Sequence, residues 1–458
     1  MKKYVVILAA GKGTRMYSKK PKVMHEIIGK SMIKYILDAT RNAGFKTATV
    51  IGGYNYELLK NHLSDLKNVN LVEQKEQLGT GHAIMQTQNM FANKAGAVLV
   101  LAGDMPLIKP ETIREMFKEH EKSNNDVTIL TATKNNPTGY GRIIRRNKNV
   151  VGIVEEKDCT FEQRKISEIN TSVYIFDCEK LFKQTKFLTN DNAQQEYYLT
   201  DMVKIFDSKK YRIGSYTVNN DIETEGVNDR PTINKLTNIL KEEINAELVA
   251  SGVTILSQDV FIGPDVQIEN DVEILGSCII TGNTQIKSGT KILGDSIIKD
   301  SLIESDCFLD SVRLSDSKIG QNTKLGAFCT IRNNCEIGKN NEIGNFVEFK
   351  NTITGKNVKA KHHSYIGDAV VGNDVNFGCG SITANYDGKN KHQTIVGNKA
   401  FIGTNASIIA PANIGDNVVV AAGSTVNGDM PKNSLVLARS KQVIKENYYE
   451  DKKESVKK

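Results

Sequence analysis

Two textures of apolar and polar positions divide the chain. Over residues 1–229, short runs that are apolar on both faces alternate with stretches of helical period. The runs are YVVILAA (4–10), TATVIGG (47–53), AVLVLAGD (97–104), DVTILTA (126–132) and SVYIFD (172–177). Their length and β-branched content predict strands of a covered, mostly parallel sheet. Between them SMIKYILDATRNAG (31–44) repeats apolar residues at three- and four-residue steps and stops on a glycine, which predicts a helix. The alternation implies an α/β layered domain whose ligands gather at the carboxyl ends of the strands. LAAGKG (8–13) and LAGDMP (101–106) both sit at such ends and are expected to face one crevice.

Residues 230–250 form a connector. Ile233, Leu236, Leu240, Ile244 and Leu248 share one helical face, Pro231 suits the first turn, and Gly252 ends the pattern. From 253 on the period becomes six. Ile262, Ile268, Ile274, Ile280, Ile286, Ile292 and Ile298 form one run. Ile319, Leu325, Ile331, Ile337, Ile343 and Phe349 form a second, and Val396, Ile402, Ile408, Ile414, Val420 and Val426 a third. Neither a strand nor a helix repeats every six residues. A flat side of a solenoid coil does, with one inward aliphatic per side. The period breaks at LDSVRLSDS (309–317) and NYDGKNKHQ (385–393), the second read as a loop thrown out from a corner.

Length and composition fit a folded chain of two or three domains. The net charge of +7 is mild for 458 residues. It suits anionic small substrates and argues against a nucleic-acid partner. The lysines of KKESVKK (452–458) read as a solvated end. Seven cysteines with no Cys-x-x-Cys spacing favour a reducing cytoplasm over a disulfide framework or zinc ribbon. MKKYVVILAAGKG imitates a signal peptide, but its apolar stretch is at the short limit, and a first buried strand is the expectation. No segment approaches the roughly 20 apolar residues of a membrane span.

The chemistry of the first half begins at LAAGKGTRM (8–16). It lacks the Walker spacing, and Met16 stands where a dinucleotide fingerprint needs its third glycine. A Gly-x-Gly turn can still cradle phosphate oxygens with its N–H groups, while Arg15 and Lys22 add charge-assisted bonds. Asp104, just past a buried strand, suits a hard cation such as Mg²⁺. EQLGTGHA (76–83) brings Thr80 in a second glycine turn, and PTGYGRI (137–143) brings Gly139. IVEEKD (153–158), EINTSVY (168–174) and EGVNDR (225–230) offer Glu155, Asn170 and Asn228.

Together these stretches resemble a nucleotide–sugar pyrophosphorylase. With the hexad half, nearly the whole chain is similar to the bifunctional glucosamine-1-phosphate N-acetyltransferase / N-acetylglucosamine-1-phosphate uridylyltransferase family of bacterial UDP-N-acetylglucosamine synthesis. The resemblance implies a Rossmann-like nucleotidyltransferase domain (1–229), a linker helix (230–250) and a left-handed parallel β-helix acetyltransferase domain with a tail (251–458). Roughly ten coils spaced about 4.8 Å apart would make a prism on the order of 50 Å long. It further implies that Leu8, Ala9, Ala10, Gly11 and Lys22 hold UTP. Gln74, Gly79 and Thr80 would read the uracil end, Gly139, Glu155 and Asn170 hold the sugar, and Asp104 and Asn228 bind Mg²⁺.

In the second half, acetylating an amine needs a base, since an ammonium cannot attack a thioester. Two adjacent histidines lie in KAKHHSYIGDA (359–369). With RNNCEIG (332–338), NFVEFKN (345–351), DVNFGCGSITANYDGKNK (374–391) and LARSK (437–441), the resemblance makes His362 the general base, oriented by Glu348. It assigns Arg332, Lys350, Tyr365, Asn376 and Lys391 to the sugar phosphate. Cys379, Asn385, Tyr386, Thr404, Ala422 and Arg439 go to acetyl-CoA. Lys361, Cys379 and Thr404 depart from the family's small residue, alanine and serine, and His363 beside His362 leaves the register to be decided. The family is a homotrimer whose acetyl-transfer sites lie between prisms, acting on glucosamine 1-phosphate and then N-acetylglucosamine 1-phosphate. The rival reading is a monofunctional sugar-1-phosphate nucleotidyltransferase with a structural, trimerising β-helix.

Overall fold

The computed structural model describes residues 1–449 and Lys452, so the KKESVKK reading, apart from Lys452, lies outside the described residues. The chain forms two compact units, Met1–Asn238 and Ile239–Lys458, with the boundary inside a helix spanning Arg230–Ala250.

The first unit is built on a nine-stranded sheet. Its main path runs Ile213–Thr217, Val127–Thr133, Glu168–Asp177, Ala97–Ala102, Lys3–Ala9, Ala48–Gly52, Val69–Glu73. The signal-like start is thus a central strand, parallel to both neighbours. Alternate residues enter opposite cores: Ile7, Leu99 and Leu101 on one side, Val6, Val98 and Val100 on the other. This two-sided burial is why these strands read as continuous apolar runs. One expectation needs refining. Glu168–Asp177 runs antiparallel to both neighbours, and it carries a hairpin, Arg142–Arg146 with Asn149–Val154. The helix expected over 31–44 spans Met32–Asn42 and is followed by Gly44 at φ 104°.

The second unit is a parallel β-helix. Strands of two to eight residues form an 11-stranded sheet and an 18-stranded one that turns the remaining corners. Each hexad aliphatic stacks on its counterpart one coil along, as Ile280 on Ile298 and Ile331 on Phe349. All the hexad positions are buried except Ile268, which is half-buried and packs against the core. The break at 309–317 is no loop. Ile298 stacks on Leu314 and Ile303 on Ile319, so the coil shortens while the inward column continues. The second break is a true excursion: Phe377 stacks on Ile402, and the intervening chain leaves the corner around a Tyr386–Lys391 bridge. Corner residues with left-handed φ are mostly Asn, Asp and Gly, as at Asp271, Asp306, Asn322, Asn340 and Asn357. Short polar side chains tolerate that conformation best. The connector helix lays Ile244 and Leu248 against this core, and Asn245 Nδ2 donates to Val260 O at 3.0 Å. No helix among the described residues is long and apolar enough to cross a membrane.

Candidate active sites

The first unit holds a cavity of about 510 Å³ at the carboxyl ends of the parallel strands. Leu8, Ala9, Ala10, Gly11, Lys22, Gln74, Gly79, Thr80, Asp104, Gly139, Glu155, Asn170 and Asn228 all line it. The two turns expected to share a crevice therefore do, and Gly103 N donates to Leu8 O at 2.8 Å between them. Arg15 is the exception: it is exposed, in a short 3-10 turn near Asp229.

On the cavity wall the Lys22 ammonium donates to Asp104 Oδ2 and, at 3.1 Å, to Asn228 Oδ1. Val227 N donates to Asp104 O at 2.9 Å, which ties the two ligand-bearing turns together. A carboxylate and an amide oxygen converging on one cation form a hard donor pair, so the residues fit a divalent ion such as Mg²⁺. No group of three or more His, Cys, Asp or Glu that could hold a metal occurs among the described residues. An ion here would therefore complete its shell with substrate phosphate and water.

The rest of the cavity is prearranged. Gln74 is buried and donates from Nε2 to Gly79 O at 3.1 Å, fixing the turn it shares with Thr80. Gly79 has φ 105°, and a Cβ there would meet Tyr197 O at 2.7 Å, so no other residue fits. Asn170 is buried at a β-bulge, where the register shifts between Asn170 and Tyr174 and Ser172 takes φ 62°. Such bulges re-aim side chains beside sites. Glu155 accepts from Thr200 Oγ1 at 3.1 Å, and burial pushes its carboxyl pKa up. The Gly139 turn is held by Glu156, which accepts from Gly139 N at 3.1 Å and from the fully buried Arg142 at 2.8 Å. Sequence reasoning gave no role to Lys12, Gln77, Tyr140 and Glu196, which also line the cavity. Lys12, Gln77 and Tyr140 lie inside the recognised motifs and Glu196 outside them, but none carries a spacing signal of its own.

In the second unit the β-helix register does the assembling. Ile343, Ala360, Phe377, Ile402 and Val420 stack on successive coils. Two residues further along each coil, His362 stacks on Asn345, and the column continues as Cys379, Thr404 and Ala422. All are exposed. Arg439 reaches back to this column, donating from Nη1 to Ala422 O at 2.8 Å. His363 belongs to the next position, a left-handed corner at φ 42°, with its ring centroid 6.4 Å from that of Phe346. The register thus separates the two histidines: His362 meets the small-residue column, His363 an aromatic one.

Around a neighbouring corner, Arg332, Lys350 and Gly367 stack in register. Tyr365 folds its ring over Gly367, where a Cβ would collide with it. Asn376 is half-buried on its strand, and Tyr386 is exposed in the excursion loop. Lys391, from the same loop, comes beside Lys350, which is the first cause holding the Lys391 pKa down. Two expectations shift. Asn385, assigned to acetyl-CoA, is buried against this corner and donates to Asp368. Glu348 does not orient His362: its Oε1 takes Arg332 Nε at 2.9 Å and Nη2 at 2.6 Å, because the two side chains lie on adjacent coils.

Comparison with known proteins places both halves. The nucleotidyl transferase family matches residues 4–222, and the bacterial transferase hexapeptide (six repeats) family matches 316–351 and 393–428. The bifunctional protein GlmU of Clostridium perfringens is 42% identical over 454 residues, covering 99% of this chain and 100% of its own. Those of Bacillus licheniformis and Streptococcus mutans are 47% and 42% identical, over 98% and 99% of this chain and 99% and 98% of theirs. A Rossmann-like nucleotidyltransferase unit followed by a left-handed hexapeptide β-helix, matched end to end at this identity, makes the chain a member of the GlmU family, bifunctional enzymes with uridylyltransferase and glucosamine-1-phosphate acetyltransferase activities.

Proposed function

We propose that the cavity of the first unit is the uridylyl-transfer site and the His362 corner the acetyl-transfer site. Acetylation of glucosamine 1-phosphate comes first, and its product is the substrate of the second reaction. The backbone of Leu8–Gly11 and the Lys22 ammonium hold UTP, with Arg15 adding to the positive field. Gln74, Gly79 and Thr80 read the uracil end, and Gly139, Glu155 and Asn170 hold the sugar. A phosphate oxygen of N-acetylglucosamine 1-phosphate attacks the α-phosphorus, the bond to the β-phosphate bridging oxygen breaks, and pyrophosphate leaves. That oxygen is already ionised, so the chain supplies positioning and charge offset rather than a base. Mg²⁺ bound through Asp104 and Asn228 would supply Lewis-acid neutralisation of phosphate charge.

At the second site Arg332, Lys350, Tyr365, Asn376 and Lys391 hold the sugar phosphate. Cys379, Tyr386, Thr404, Ala422 and Arg439 line the path of acetyl-CoA, while Asn385 braces the phosphate corner beside it. An imidazole nitrogen of His362 takes a proton from the substrate ammonium. The freed amine attacks the thioester carbonyl, the C–S bond breaks, the nitrogen sheds a proton as the amide forms, and CoA takes up a proton and leaves as its thiol. The observation that carries this reading is the stacking of His362 on Cys379, Thr404 and Ala422. It lines a base up with a smooth channel on which an extended thioester chain can lie. A structural β-helix would need no histidine in line with a column of small exposed residues, which disfavours the monofunctional alternative.

The flat prism faces support a homotrimer that encloses these sites. Ile353, Val370 and Ile395 stack in register with 50%, 37% and 44% of their surface exposed, an apolar stripe suited to further copies of the chain. Seven free cysteines agree with a cytoplasmic setting. Incubation with glucosamine 1-phosphate, acetyl-CoA, UTP and Mg²⁺, omitting one at a time, tests the scheme. UDP-N-acetylglucosamine should form only with all four present, and N-acetylglucosamine 1-phosphate should accumulate without UTP. Replacing UTP by dTTP or ATP should abolish pyrophosphate release. A chain that uridylylates N-acetylglucosamine 1-phosphate but never acetylates would restore the monofunctional reading.

A further inference from the structure

A carboxylate that none of these roles uses lies under the two lysines assigned to the sugar phosphate. Asp368 follows the strand Tyr365–Gly367 at a corner with φ 50°. Its side chain is 12% exposed, and that of Lys350 11%. Oδ1 accepts from Asn351 Nδ2 at 2.6 Å, Oδ2 accepts from Asn385 Nδ2, and Oδ2 lies 3.9 Å from Lys350 Nζ. Asn385 Nδ2 is also 3.4 Å from Tyr365 OH. The carboxylate is therefore pinned from both sides and aimed at one lysine.

The lysines are in conflict without it. Lys391 and Lys350 bring two ammonium groups together, and the nearness of Lys350 holds the Lys391 pKa down. Asp368 and Tyr365 act on Lys391 in the opposite sense. Arg332, in register with Lys350, is already bound to Glu348 on the adjacent coil, and His392 pairs with Asp387 in the loop that bears Lys391.

We propose that Asp368 is a positioning residue for acetyl transfer: held by Asn351 and Asn385, it keeps Lys350 and Lys391 both charged and convergent, ready for the phosphate monoester of an amino sugar. The inference rests on the assignment of those lysines given above. It also makes a prediction opposite in sign to simple electrostatics. Removing a negative charge from an anion site should tighten anion binding. Removing the group that reconciles two ammoniums should instead weaken it, because one lysine gives up its proton or swings away.

The test uses the full chain carrying Asp368→Asn, with kcat and KM for glucosamine 1-phosphate measured across pH. We expect KM near neutral pH to rise about tenfold with kcat within about twofold. The alkaline limb of kcat/KM should move down by about one pH unit. Asp368→Asn combined with Lys391→Met should return that limb towards its native position, since the repelled partner is gone. Uridylyl transfer from N-acetylglucosamine 1-phosphate in the same sample reports a folded chain. If Asp368→Asn impairs folding, Asp368→Glu replaces it: the charge is kept, so the limb should stay in place, and a moved limb would overturn the proposal. An unchanged or lowered KM, or an unmoved limb, in a folded Asp368→Asn chain would also overturn it. Failure of the unsubstituted chain to acetylate glucosamine 1-phosphate would overturn the site assignment and this inference with it.

Discussion

Lys22 offers its ammonium to Asp104 and Asn228, so three side chains far apart in sequence define one cation position. Asp104→Ala should cut uridylyl transfer by at least about 10²–10³-fold while acetylation continues; joint loss in a folded chain would contradict separate sites. His362→Ala should lower acetylation by about 10²–10⁴-fold, whereas His363→Ala should cost less than about tenfold. The reverse order would show that the base occupies the aromatic column. Thiol chemistry offers an independent check. Cys379 is exposed and the other six cysteines are buried, with burial pushing the Cys278 thiol up to about 12 and the Cys307 thiol up to about 11. Native protein should therefore take up one equivalent of a maleimide, at Cys379, and acetyl-CoA should slow the reaction. Modification elsewhere, or no protection, would count against a CoA path over that column.

Elements differ in how far their sequence announces them. The hexads were legible because each inward aliphatic stacks on the same column, so the period of the sequence is the period of the core. Ile331→Ala should accordingly cost about 2–5 kcal/mol, read as a fall in thermal midpoint. The outward Lys324→Ala, on the preceding strand of the chain, should stay within about 0.5 kcal/mol. The excursion loop was legible too, as a break, but not its internal order. Asp387 accepts from Asn390 N at 2.6 Å, Lys389 N at 2.8 Å and His392 Nε2 at 2.7 Å. These bonds, the Asn390 N–H foremost, hold its carboxyl down to about 2. A depressed carboxylate contributes order that is fully present above the unfolded value of about 3.9 and lost as pH falls through the folded one. Asp387→Ala should thus expose residues 385–393 to limited proteolysis at neutral pH. In the first unit, the buried central strands were legible and the edges were not. Val69–Glu73 and Ile213–Thr217 are half-exposed, and the hairpin strand Arg142–Arg146 reads RIIRR, too charged for the two-sided pattern. The antiparallel sense of Glu168–Asp177 has no signature in its own residues. Likewise Glu348 was expected at His362 because only the coil register reveals Arg332 beside it.

For the molecule as a whole, one chain carries two chemistries that share anionic substrates. A net charge of +7 favours their capture, so kcat/KM for both reactions should fall as ionic strength rises. In the proposed homotrimer, the apolar stripe of Ile353, Val370 and Ile395 ties the acetyl-transfer site to assembly. Light scattering should give three times 50.6 kDa, and Val370→Glu should lower that mass together with acetylation while sparing uridylyl transfer. Full acetylation by a stable single chain would show that one prism suffices. The place where Phe377 meets Ile402 across a long detour has a wider meaning. Neighbouring coils close ranks behind the detour as though nothing had been inserted. A solenoid of this kind works like a rack: whatever hangs from a corner can be exchanged while the shelf stays level. Grafting a different segment between Asn385 and Thr394 is therefore a direct way to redirect the prism to another amine, with its folding left intact.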